Sequence, residues 1–155
     1  MRLALYEPDI PQNAGAMLRT AACLGVAVDI IEPCGFVFDD RRMRRAGMDY
    51  LDRAEWQRHS SWDAFLQWSA NRSGRLILLT TRASQVYTDY NFQSPDILLV
   101  GRESAGVPES VHRAVDARVL IPMNAGERSL NVAVSAAMVL GEALRQTARF
   151  PGSHQ

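Results

Sequence analysis

VLIPMNAGERSLNVAVS, the stretch from Val119 to Ser135, carries an apolar strand end into Pro122, then into a polar loop, then into an apolar small-residue segment. That segment, Leu130 to Leu144, is too rich in Ala and Val for a helix lying on a surface. The loop holding Gly126, Glu127, Arg128 and Ser129 is therefore pinned between a buried strand and a buried helix. Its polar groups need internal partners or a ligand to offset their desolvation. Two readings are open at this point. One is an ordinary strand-to-helix turn with Ser129 as the helix N-cap; the other is a binding loop.

The flanking chain gives the loop its setting. Arg2–Glu7, Val26–Ile31, Arg75–Thr80, Asp96–Val100 and Ala117–Ile121 read as apolar strands, and Leu51–Trp56 as a weak one. Helices are expected from Asn13, as N-cap, to Leu24, with Gly25 as the stop, and from Ser60 or Ser61 to Ala70. A short basic helix is expected from Phe38 to Met48, capped by Asp39 or Asp40. Others follow at Pro108–Ala114 and Leu130–Arg149, while Thr81–Pro95 reads as a loop or ragged helix. Strands alternating with helices predict an α/β domain with a mostly parallel sheet covered on both faces. In such sheets ligands bind beyond the carboxyl ends of the strands. There the sequence places Pro11–Gly15, Thr80–Arg82, Gly101–Gly106 and Pro122–Ser129, its polar and Gly-rich stretches.

A chain of 155 residues, 47% hydrophobic and 22% charged, is expected to form one domain over residues 1–150, with 151–155 as a frayed tail. MRLALYEP reads as a strand, not a signal peptide, and no apolar run reaches the roughly 18 residues of a membrane span. Cys23 and Cys34 form no disulfide or zinc pattern, and His59, His112 and His154 stand apart. A cytoplasmic protein with no metal and no membrane partner is expected. Formal net charge is +0, against a protein that coats nucleic acid by bulk charge. All 17 basic residues are arginines. The absence of lysine excludes Schiff-base chemistry and a P-loop lysine. Arg41, Arg42, Arg44 and Arg45 make one local cationic face, either a solvated helix surface or a phosphate contact.

Two further clusters matter. Asn13-x-Gly15-x-x-x-Arg19 puts a bare glycine surface one helical turn before a guanidinium, suiting a large anionic partner. Gly101-Arg102-Glu103-Ser104-Ala105-Gly106 follows a buried strand but lacks the GxGxxG spacing of a dinucleotide site. Each taken alone has a plain alternative: a cap with a solvated arginine, and a turn with paired glycines.

Together the three clusters resemble the three motifs of the SPOUT methyltransferases, which transfer methyl groups from S-adenosylmethionine to RNA. Asn13, Gly15 and Arg19 match motif one; Gly101, Glu103, Gly106 and Pro108 match motif two. Ile121-Pro122-Met123 with Ser129-Leu130-Asn131 matches motif three. The runs YEPDIPQNAG, EPCGF and DDRRMRRAGMDY look like the branch that methylates the ribose 2′-hydroxyl of the tRNA wobble nucleotide. The resemblance covers essentially the whole chain. It implies a C-terminal trefoil knot, which patterning cannot show and base rates oppose. It further implies S-adenosylmethionine held by Leu79, Thr80, Gly101, Glu103, Ile121, Met123, Ser129 and Leu130, and chemistry served by Arg19, Ser129, Asn131 and Asn13. A homodimer built on the last helix and an anticodon stem-loop contacted by the Arg41–Arg45 face also follow, with leucine tRNAs as the expected substrates. Other RNA targets, in tRNA or ribosomal RNA, and a non-catalytic RNA-binding protein of the same fold are the alternatives.

Overall fold

Runs such as LILL and ILLV have no polar face, so each must be buried on both sides, and in the computed structural model they are. The structure describes residues 1–37, 39, 41 and 49–152. Seven strands are described: β1 (Arg2–Tyr6), β2 (Ala27–Ile31), β3 (Trp56–His59), β4 (Leu76–Leu79), β5 (Gln85–Val86), β6 (Ile97–Val100) and β7 (Ala117–Leu120). They form one sheet in the order β3-β2-β1-β6-β4-β7-β5, with every named pair parallel. The expected α/β class with a mostly parallel sheet is borne out.

Four helices are described: α1 (Pro11–Leu24), α2 (Trp62–Ala70), α3 (Glu109–Ala114) and α4 (Val132–Gln146). The pleat sorts the strand residues between them. Leu3, Leu5, Val28 and Ile30 pack with Met17 and Leu18 of α1 and Val139 and Leu140 of α4. Ala4, Tyr6, Ile31 and Leu99 pack on the opposite face with Phe65 of α2 and Val111 of α3. Helices thus cover both faces, and both layers bring their loops to one sheet edge.

β7 lies between β4 and β5, although β4 and β5 are neighbours in sequence. Residues 80–84 therefore cross the line of β7, with the Thr80 N–H donating to Val119 O at 3.0 Å. The last third of the chain reaches its place alongside that crossing.

Several boundaries differ from the sequence reading. Leu51–Trp56 is not a strand: Asp49–Asp52 is a 3-10 turn and the strand is Trp56–His59. WQRH has no apolar alternation, and tertiary bonds give it its place. Gln57 donates to the buried Asp29 Oδ1 at 2.6 Å, and His59 Nε2 lies 2.8 Å from the same oxygen. Within Thr81–Pro95 a two-residue strand forms on the edge of β7, followed by a 3-10 turn at Tyr87–Asp89. Helix α1 starts at Pro11, two residues before Asn13, with Ile10 at the cap and no side-chain bond there. Gly25 ends it in the left-handed region at φ 65°, as expected. Ser129 does not cap the last helix. Asn131 does, accepting the N–H groups of Ala133 at 2.9 Å and Val134 at 3.2 Å. Most of the expected basic helix, Phe38–Met48, lies outside the described residues, as do 153–155 of the tail. Among the described residues no helix is long and apolar enough to cross a membrane.

Candidate active site

Three loops and the end of β4 enclose a cavity of about 470 Å³ at the carboxyl edge of the sheet. Its floor is apolar, from Leu78 and Val100 at the strand ends and Val107 beyond. Its rim is polar, from Asn13, Thr80, Glu103, Ser129 and Asn131. That is the usual make-up of a small-molecule site, a hydrophobic body with a few convergent polar groups.

The loop after β6 is held by its own backbone. Arg102 and Gly106 exchange N–H···O bonds of 3.2 and 2.8 Å, which closes residues 101–106 into a tight hairpin. Gly101 faces Gly106 so closely that a Cβ at 101 would lie 2.8 Å from the Gly106 carbonyl carbon. Gly106 itself sits at φ +64°, a conformation that side chains rarely adopt. Both glycines are therefore structural requirements of a thin wall beside the cavity.

The loop after β7 is built differently. Between Ile121 and Leu130 its only internal backbone bond among those described is Glu127 N–H to Asn124 O, at 3.2 Å. Its far end is fixed by Asn131. The Asn131 Oδ1 caps α4, and its Nδ2 donates to Asn13 Oδ1 at 3.0 Å. Asn13, read from sequence as a helix cap, instead spans from α1 to the start of α4. This one bond joins the first cluster to the third.

Every residue expected to hold the cofactor, Leu79, Thr80, Gly101, Glu103, Ile121, Met123, Ser129 and Leu130, lines this cavity. Asn13, Ser129 and Asn131 line it as well. Arg19 does not. It is exposed on α1, with its guanidinium 5.0 Å from the centroid of the Tyr50 ring. Arg41 is exposed, and its N–H donates to Asp39 Oδ1 at 2.8 Å. Arg42, Arg44 and Arg45 lie outside the described residues. Sequence reasoning missed Ile10 and Ser135 in the lining, and it missed Asp9, whose role is taken up below. The only sign of Asp9 in sequence is its place in YEPDIPQNAG, directly after a central strand. Among the described residues no group of three or more His, Cys, Asp or Glu side chains gathers as metal ligands would.

Electrostatics single out Glu103. Burial, and then the neighbouring Asp9 carboxyl, push its pKa above the ordinary glutamate value. Asp9 goes the other way, to about 2, chiefly through its hydrogen bonding to Glu103.

Residues 1–141 match the model of the SpoU rRNA methylase family. A tRNA (cytidine(34)-2′-O)-methyltransferase from Beijerinckia indica subsp. indica is 65% identical over 144 residues, 93% of this chain and 90% of its own. A solved structure concerned with 2′-OH methylation of C/U34 on tRNA is 39% identical, covers 94% of each chain and has a TM-score of 0.86. The methyltransferase AviRb from Streptomyces viridochromogenes, solved with S-adenosylmethionine, is 27% identical with a TM-score of 0.83, over 94% of this chain and 60% of its own. The chain belongs to the SpoU methylase family, a branch of the SPOUT methyltransferases.

Proposed function

We propose that this protein transfers the methyl group of S-adenosylmethionine to the ribose 2′-hydroxyl of nucleotide 34 of tRNA. The observation that carries the proposal is one cavity lined by residues of all three motif clusters, the first represented by Asn13, with the Asn13–Asn131 bond at its rim. The residues fit the cofactor. Leu78, Leu79, Ile121 and Met123 offer apolar surface for an adenine ring, and the hairpin at Gly101 and Gly106 allows close backbone approach. When bound, the cofactor supplies an activated methyl group on sulfur. The chain's own contribution is to place a 2′-oxygen in line with it, a task of orientation.

Ser129 and Asn131 on the rim orient the ribose. Arg19 acts from outside the cavity as a fixed cation that grips a phosphate beside the reacting nucleotide or stabilises the developing alkoxide. A guanidinium keeps its proton at neutral pH and does not serve as a base there. Arg41, Arg42, Arg44 and Arg45 take the anticodon stem-loop backbone. Leu130, Val134 and Met138 are exposed one helical turn apart at the start of α4 and before it. They form the face of a homodimer, which brings one subunit's basic surface to the other's cavity. The crossing of residues 80–84 over β7 is the loop of the implied knot, and leucine tRNAs in the cytoplasm are the substrates.

The test is nucleoside mass spectrometry of tRNA from a strain lacking this protein, with methylation of a purified anticodon stem-loop alongside. Loss of 2′-O-methylated nucleotide 34, restored by the wild-type chain and not by Arg19→Ala, is the expected result. Persistence of that modification, or full activity in Arg19→Ala, overturns the reading in its substrate or its mechanism respectively.

A further inference from the structure

Asp9 has no part in the chemistry above, yet it ties together the loops after β1 and β6. Its N–H donates to Glu103 Oε2 at 3.0 Å, and its Oδ1 accepts the Glu103 N–H at 3.0 Å. Its Oδ2 accepts the Ser104 hydroxyl and stands 3.6 Å from Arg102 Nε, while Arg102 also donates to Glu7 at 3.3 Å. A third loop supports it from behind. The Gly35 N–H donates to Pro8 O at 2.9 Å, and a Cβ on Gly35 would lie 2.5 Å from the Asp9 Cβ. Asp9 is fixed from three sides, which gives the EPCGF run a physical purpose.

The arrangement leaves one atom unprovided for. Glu103 lines the cavity and spends Oε2 on the Asp9 amide, but its Oε1 is buried and has no hydrogen-bond partner. The Asn13 amide is near enough to favour the anion, though outside hydrogen-bond geometry. A buried acceptor without a donor costs free energy, and for a carboxylate the cost is larger. What meets it should be a donor carrying positive charge, because attraction between charges is strongest away from water. S-adenosylmethionine carries two cationic groups. Its sulfonium has no proton to donate, whereas its α-ammonium has three.

Resting on the cofactor assigned above, we propose that Asp9 is a positioning residue holding Glu103 so that Oε1 receives the α-ammonium of bound S-adenosylmethionine. Glu103 would then read the amino-acid end of the cofactor while the apolar floor takes the adenosine.

Titration calorimetry with three ligands tests this: S-adenosylmethionine, S-adenosylhomocysteine, which lacks the sulfonium charge, and 5′-methylthioadenosine, which lacks the ammonium. Glu103→Gln should weaken the first two by about tenfold or more and leave the third nearly unchanged. Asp9→Asn should show a smaller loss with the same selectivity, with melting temperatures confirming that both variants fold. Equal loss for all three ligands would mean a merely structural wall and overturns the proposal. So does a loss confined to S-adenosylmethionine, which would place Oε1 at the sulfonium. If the wild-type chain bound none of the three, the cofactor reading itself would fall.

Discussion

The sheet has a concave surface at each end, and the two are built to opposite effect. At the amino ends of the strands a cavity of about 530 Å³, larger than the candidate active site, is lined by Arg2, Arg72, Arg149 and Glu55. Its charges are spent internally. Arg2 pairs with Asp29 at 2.7 Å and Glu55 at 3.4 Å, Arg72 lies 4.1 Å over the Trp68 ring, and Arg149 donates to Ser94 at 3.0 Å. Helices α1, α2 and α4 all end on this side, and Arg145 in the last turn of α4 complements the negative end of that helix dipole. At the carboxyl ends the smaller cavity leaves Glu103 Oε1 buried without a hydrogen-bond partner, and Arg102 Nε with only a 3.6 Å ion pair to Asp9. Size does not distinguish a site from a cleft here; unspent polar groups do.

That contrast can be broken at either end. The largest expected effect on stability is Asp29→Ala, which strands Arg2, Gln57 and His59 around a buried gap. Removing one partner of a buried charge network costs about 3–5 kcal/mol, read by chemical denaturation, while cofactor affinity of the folded fraction stays unchanged. If affinity falls in step, the two ends are coupled. Gly101→Ala comes next. A Cβ pressed to 2.8 Å from backbone should cost about 1–3 kcal/mol and weaken cofactor binding as well, measured by denaturation and calorimetry.

Asp9→Asn sharpens the comparison through pH. The Asp9 pKa is depressed from 3.8 to about 2, so its stabilisation is present above 3.8 and is lost as pH falls towards 2. Wild type should exceed the variant by on the order of 1–2 kcal/mol at neutral pH, and the gap should close across that window. A constant gap would remove the carboxylate from the explanation. Asn131→Ala should cost about 1 kcal/mol through the lost cap, with a fall in methyl transfer beyond that because the Asn13 contact goes with it. The smallest effect belongs to the double change Arg72→Gln and Arg149→Gln. Exposed substitutions stay within about 0.5 kcal/mol, and cofactor affinity and turnover should not move.

The strand ends were legible as apolar runs, whereas the eight residues expected to hold the cofactor came from the family motifs, and the structure brings all eight to the lining of one cavity. Asn13 and Ser129 were legible as important and misread in their local role. Both look like helix caps when only the neighbouring residues are considered, and only the approach of α1 to α4 shows Asn13 bonded to Asn131 instead. Trp56–His59 was illegible as a strand because its stability comes from Asp29, distant in sequence.

By itself the sequence determined the layered α/β class, the buried strands and the edge at which a site must lie, since these follow from periodicity and turn chemistry that act over a few residues. Only the tertiary structure decided the strand order that sets β7 between β4 and β5. It alone decided the clamp of Asp9 on Glu103 as well. Both depend on contacts between residues far apart in the chain, whose pairing no local pattern encodes.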